Sequence, residues 1–148
     1  DLDNKTNHLV EVGTVAAKDH KTAHEYWEAH LKLIKQLNKR YNKMAVSIED
    51  YILYKNHAMA QVNSQLETVQ LLGIIKHFCW SYAIDYYIRP AVAVKKRWAD
   101  NILLYKGILT MTGRHYTVPG TKQTVCEHER DAIRHAVHFN TFENKEVT

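Results

Sequence analysis

Apolar residues recur along this chain with two different periods, and the switches between them mark the elements. From His24 to Tyr41 they fall at 27, 31, 34, 37 and 41, the spacing of one helix face. Met44 to Tyr54 (MAVSIEDYILY) changes to alternation, with Val46, Ile48 and Ile52 on one face of a strand and Ala45, Ser47, Glu49 and Tyr51 on the other. Apolar positions 59, 62, 66, 69 and 72 then predict a long helix from Met59 to Phe78. Ala83 to Ile88 reads as a short aromatic strand. Pro90 ends it and suits the start of the next helix. Val94, Trp98, Ile102 and Tyr105 mark that helix, with Gly107 at its C-terminal cap. Ile108 to Gln123 carries Gly113, Pro119 and Gly120 and predicts a loop or irregular hairpin.

Thr124 to Asn140, TVCEHERDAIRHAVHFN, predicts the last helix. Thr124 followed by Glu127 has capping-box spacing, and Ile133, Ala136 and Val137 continue at helical intervals. A polar tail is expected over 140–148. At the other end, DLDNKTN is turn chemistry, and His8 to Ala17 reads as a Val- and Thr-rich strand. That pair resembles the tip and second arm of a hairpin whose first arm lies before residue 1, so the N-terminal strand or strands are expected to be missing from this chain. Strands alternating with helices predict an α/β fold with a partly parallel sheet, in one domain spanning 1–148.

Composition narrows the class without naming a function. A chain of 148 residues, 45% hydrophobic, is long enough to bury roughly 70% of its unfolded surface. Cys79 and Cys126 lack CxxC spacing, which argues against a zinc ribbon or disulfide scaffold and for a reducing compartment. The longest apolar run, Leu71 to Trp80, contains Lys76 and His77 and is too short to span a membrane. The expectation is a soluble cytoplasmic protein, in a host cytoplasm if phage-encoded. The net charge of +4 is mild, but Lys95-Lys96-Arg97 is a dense basic run, followed by Lys35, Lys39 and Arg40. Such a surface permits a nucleic-acid partner without requiring one.

The candidate chemistry centres on the last helix. His128, Asp131, His135 and His138 recur at steps of three, four and three, which stacks them on one stripe. A helix turn presenting a carboxylate and an imidazole can hold a divalent cation if a second carboxylate arrives from elsewhere. Glu49, in the middle of an apolar strand where an unpaired charge would be costly, is the best source.

In order and spacing, IEDYILYKN, RPAVAVKKRW and HERDAIRHAVHF resemble the RuvC-type Holliday-junction resolvases of bacteria and phages. The resemblance runs from Val12 to Phe139 and implies a ribonuclease H-like mixed sheet flanked by helices. It also implies a homodimer that cuts branched DNA with magnesium, manganese being possible, at a two-metal site. Matched residue by residue, Glu49 takes the place of the family's strand-borne catalytic glutamate and Asp131 that of its last catalytic aspartate. His128 stands where members carry aspartate or histidine; all three are implied metal ligands. Lys95 matches a basic residue near the scissile phosphate. Ile52, Lys55, Asn56, Lys95, Lys96 and Arg97 are the implied DNA contacts. The family's first-strand aspartate has no counterpart here, since Asp1 and Asp3 lie in a turn. Two hard cations held by carboxylates would supply an aimed hydroxide and a stabilised leaving oxygen. His128 would suit a softer ion or a proton shuttle. Lys95 would steady phosphate charge.

Each residue also has an ordinary structural reading. Glu49 fits a strand charge paired with a lysine, and Asp131 a first-turn acid favoured by the helix dipole. Glu127 fits its cap, and His128, His135 and His138 a polar helix face. Lys95 to Arg97 fits a solvated charge run, and Trp80 and Trp98 fit core positions rather than base-stacking platforms. Three functions follow in order: an endonuclease acting on branched DNA, a related nuclease acting on another DNA structure, and a DNA-binding or assembly module without catalysis.

Overall fold

The computed structural model describes residues 7–41, 43–51 and 58–143, with side chains over 58–66 excepted. Its elements are α1 (Ala23–Arg40), β1 (Ala45–Asp50), α2 (Ala58–Ser81), β2 (Asp85–Pro90), α3 (Ala91–Arg97), α4 (Asp100–Tyr105), β3 (Thr110–Thr112), β4 (His115–Thr117) and α5 (Glu127–Phe142), helix and strand alternating as far as β2. The class is mixed α/β. β1 and β2 pair in a parallel two-stranded sheet, with α2 as the long crossover that parallel neighbours need. β3 and β4 form an antiparallel hairpin in the register Thr110↔Thr117, Met111↔Tyr116, Thr112↔His115. Its two-residue loop opens on Gly113 at φ +63°, the left-handed conformation that such tight hairpins ask of their first loop residue. No helix among the described residues is long and apolar enough to cross a membrane.

The chain resolves into two compact units. One takes in Asp1–Thr14, Ser47–Glu49 and Ile88–Thr148, and the other Val15–Val46 and Asp50–Tyr87. The first has a continuous core of Val94, Trp98, Leu103, Ile108, Leu109, Val118, Val125, Ile133 and Val137, with α3 packed on α5. Residues 7–13 flank α5 across a groove of about 430 Å³ lined by Leu9, Val12, Ile108, Ile133 and Val137. In the second unit α1 packs on α2, and Ile34, Leu71, Ile75, Cys79 and Ile84 are buried. Along α2 the buried positions 71, 75 and 79 step by four, and Val69, expected on that face, is exposed. The Cys79 thiol is pushed up in pKa by burial.

Four sequence expectations change. Residues 7–16 form no strand. The segment is half-buried rather than laddered: Leu9 and Val12 pack on the core, Gln123 donates to the Val12 carbonyl at 2.8 Å, and Val10 is exposed. The helix expected through Val94, Trp98, Ile102 and Tyr105 is two helices, broken at Trp98 and Ala99. The break frees the Trp98 carbonyl, which accepts a buried hydrogen bond from Arg134 Nε at 2.9 Å. Tyr105 is left 89% exposed. The last helix starts at Glu127 with Cys126 as its cap, because Thr124 is drawn into a bridge with Thr117 and the Val125 amide donates to the Tyr116 carbonyl at 2.8 Å. Glu129 therefore replaces Glu127 in the box, accepting from the Cys126 amide at 2.7 Å. Finally, α5 runs to Phe142, past the tail boundary expected at Asn140.

Candidate functional site

The site is built within the first unit, from Ser47–Glu49 of β1 and from α3, α4 and α5. Strand alternation puts Ser47 and Glu49 on one face of β1 while Ile48 is buried. That face meets α5: Ser47 Oγ donates to the His135 carbonyl at 3.1 Å, and Glu49 Oε2 stands 3.5 Å from His135 Nε2. The Glu49 side chain is 44% exposed and that of His135 only 3%. Neither ring nitrogen of His135 has a hydrogen-bond partner among the described residues. Burial lowers its pKa below the ordinary imidazole value, and the Glu49 charge opposes that only in part. The ring facing Glu49 is therefore uncharged at neutral pH.

One turn earlier on α5, Asp131 is held from two sides. Lys95 Nζ, from the last turn of α3, lies 2.8 Å from Asp131 Oδ2, and Arg134 pairs with the other carboxylate oxygen. Arg134 also pairs with Asp100 at the start of α4. Arg130 Nε lies 3.3 Å from that same Asp100 oxygen, and the Arg130 guanidinium covers the Tyr116 ring. The hydrogen bond to Asp131 raises the Lys95 pKa, against some desolvation, and the charges of Asp131 and Glu49 add to the rise. Three acids (Glu49, Asp100, Asp131) and three bases (Lys95, Arg130, Arg134) thus balance in number. Glu49 alone has an uncharged ring as its direct partner.

The predicted residues separate accordingly. Glu49, Lys95 and Asp131 come together, from three elements. Asp131 is not a first-turn acid, since α5 begins four residues before it; its ion pairs, not the helix dipole, account for it. The His128 side chain is exposed and makes no hydrogen bond or ion pair among the described residues. Of the basic run, Lys95 is committed to Asp131, Arg97 stacks 3.9 Å above the Phe142 ring, and Lys96 is exposed. Ile52, Lys55 and Asn56 lie outside the described residues.

Sequence reasoning missed Arg134 and Asp100, and read His135 as part of a polar helix face. His135 and His138 are not a solvated face: the first is buried beside Glu49, and the second accepts from Trp98 Nε1 at 3.3 Å. The only advance signal for His135 was its place four residues after Asp131. Of the two tryptophans expected in the core, Trp98 is buried and Trp80 is 74% exposed.

Among the described residues no three His, Cys, Asp or Glu side chains stand close enough to hold a metal ion. The cluster fits a hard divalent cation in kind rather than in number. It offers carboxylate oxygens whose combined field already holds one cation, the Lys95 ammonium, and it leaves Glu49 without a charged partner in contact. No protein-family model, no curated protein and no solved structure matches this chain.

Proposed function

We propose that this chain is a ribonuclease H-like, metal-dependent endonuclease that hydrolyses phosphodiester bonds in branched DNA and works as a homodimer. The observation that carries the reading is the convergence of Glu49, Lys95 and Asp131, from β1, α3 and α5, around a buried neutral imidazole. These are residues that the resemblance to RuvC-type resolvases picks out.

In this reading Glu49 and Asp131 would hold magnesium, with manganese as the softer substitute, and the exposed His128 would serve as a proton carrier. When bound, the metal supplies an activated water and neutralises charge on the phosphate. Lys95 is half-exposed and keeps its proton, so on leaving Asp131 its ammonium is available to a non-bridging phosphate oxygen. His135, fixed through its backbone by Ser47, limits where the Glu49 carboxylate can turn.

The test is cleavage of a four-way junction in magnesium, against a linear duplex of the same sequence. Paired cuts in the junction, an intact duplex, and loss of cutting in Glu49→Gln are expected. Cutting of other DNA forms with equal ease would assign the related nuclease instead. A second reading, a DNA-binding module without catalysis, is favoured by the ion pairs that already occupy both oxygens of Asp131. It predicts a junction that is bound but stays uncut in both magnesium and manganese.

A further inference from the structure

At the C-terminal end of α2 two aromatic rings stand in solvent, Trp80 at 74% and Tyr82 at 51% exposed. Each is backed by a second ring from the preceding turn. His77 stacks on Trp80 with centroids 5.9 Å apart at 30°, and Phe78 on Tyr82 at 4.4 Å and 29°. A ring held this way keeps a flat apolar face open to water with little conformational freedom left to lose on binding. Tyr105 is more exposed still, yet makes no ring contact among the described residues.

Beside the Tyr82 ring runs a cationic stripe. Lys32, Lys35 and Lys39 are exposed on α1 at steps of three and four, which places them within one narrow face. None has an ion pair among the described residues, and the Lys35 ammonium lies 5.9 Å from the centroid of the Tyr82 ring. Like charges at that spacing repel one another, so an anion lying along the stripe would stabilise it. Flat rings for bases beside a row of ammonium groups for phosphates is the combination that holds single-stranded nucleic acid without reading its sequence.

We propose that Trp80 and Tyr82, with Lys32, Lys35 and Lys39, bind unpaired DNA, one base on each ring and the backbone along the lysines. The choice of DNA as the occupant rests on the nuclease reading above. Neither ring belongs to the residues assigned to cleavage.

The probe is a fluorescent oligothymidylate, titrated by anisotropy in EDTA so that no cleavage intervenes. Trp80→Ala and Tyr82→Ala are each expected to weaken binding about 10-fold or more, the usual scale of one lost base stack. Trp80→Phe is expected to keep most of the affinity and Tyr105→Ala all of it. Trp80 is exposed enough that its truncation leaves the fold intact, and the Phe variant separates a lost stack from a damaged helix. Wild-type affinity in both alanine variants would overturn the proposal. Unchanged affinity with an altered sedimentation coefficient would overturn it too, assigning the rings to a protein contact. Junction cutting can fail while EDTA binding persists, so the two readings fall separately.

Discussion

The acidic and basic groups of the α5 cluster and the lysines of α1 treat charge in opposite ways. Around Arg134 the ion pairs close on themselves: Asp131 takes Lys95 and Arg134, Asp100 takes Arg134 and Arg130, and Arg134 Nε takes the Trp98 carbonyl. Along α1 no ion pair neutralises Lys32, Lys35 or Lys39 among the described residues. A charge balanced inside the fold has most of its interaction energy spent on structure, whereas an unbalanced one is ready for a ligand. Within the cluster Glu49 is the exception, and that makes it the functional candidate. Arg130, Arg134 and Asp100 are scaffold.

Breaking the scaffold should have the largest effect. Arg134→Met leaves Asp131 and Asp100, both partly buried, short of a cation and strips the Trp98 carbonyl of its donor. Lys95 and Arg130 still face the two acids, so the cost is mainly that of a buried carbonyl left without a donor, about 1–3 kcal/mol, read as a lower urea midpoint at an unchanged slope. Arg134→Lys should recover little, because an ammonium cannot serve two carboxylates and a carbonyl at once.

The next effect is a pH dependence of stability. Burial lowers the pKa of both His135 and His138, with Glu49 and Glu143 opposing in part. The unfolded chain therefore takes up these protons first, near pH 6.5, while the folded chain still resists. Stability is full above that pH and falls as pH drops below it, by at most about 1.4 kcal/mol per pH unit for each histidine. Protonation of His138 Nδ1 also removes the acceptor of the Trp98 indole N–H. A melting temperature that declines from pH 7 to pH 5, with a shallower decline in His138→Gln, is the expected result. A decline of the same slope in His138→Gln would remove His138 from the account.

What could be read from the sequence divides along similar lines. Elements set by local period were legible: α1, β1 and α2 stand within a few residues of their apolar spacing, and Gly107 and Gly113 take the left-handed conformations their turns require. Features set by distant partners were not. The break at Trp98 depends on an arginine 36 residues away. The shifted cap of α5 depends on Thr117 competing for Thr124. The burial of His135 depends on which face of β1 meets α5. Periodicity reports that a face is apolar or polar; it does not report what a polar side chain will find there. Glu49 and Asp131 were singled out by their own chemistry and Lys95 by a resemblance, and Lys95 lies against Asp131 and within the field of Glu49, but Arg134 and Asp100 had no local signal at all.

Two smaller effects sharpen the contrast. Lys95→Met removes one of the two cations on Asp131, yet Arg134 remains and Lys95 is half-exposed, so the stability loss should be about 0.2–1 kcal/mol, in the range of surface pairs. If the ammonium serves phosphate, junction cutting should drop far more than stability does; equal, small losses in both would make Lys95 purely structural. On α1 the sign should reverse. Lys35→Gln relieves repulsion with its two lysine neighbours and should raise stability by about 0.2–0.5 kcal/mol. The same change should lower the salt slope of oligonucleotide binding by about 0.7, the share of one phosphate contact on a single strand. A variant that becomes slightly more stable while binding less well is what an unbalanced charge kept for a ligand predicts. A loss of stability at Lys35 would show instead that its ammonium is needed over the Tyr82 ring by the fold itself.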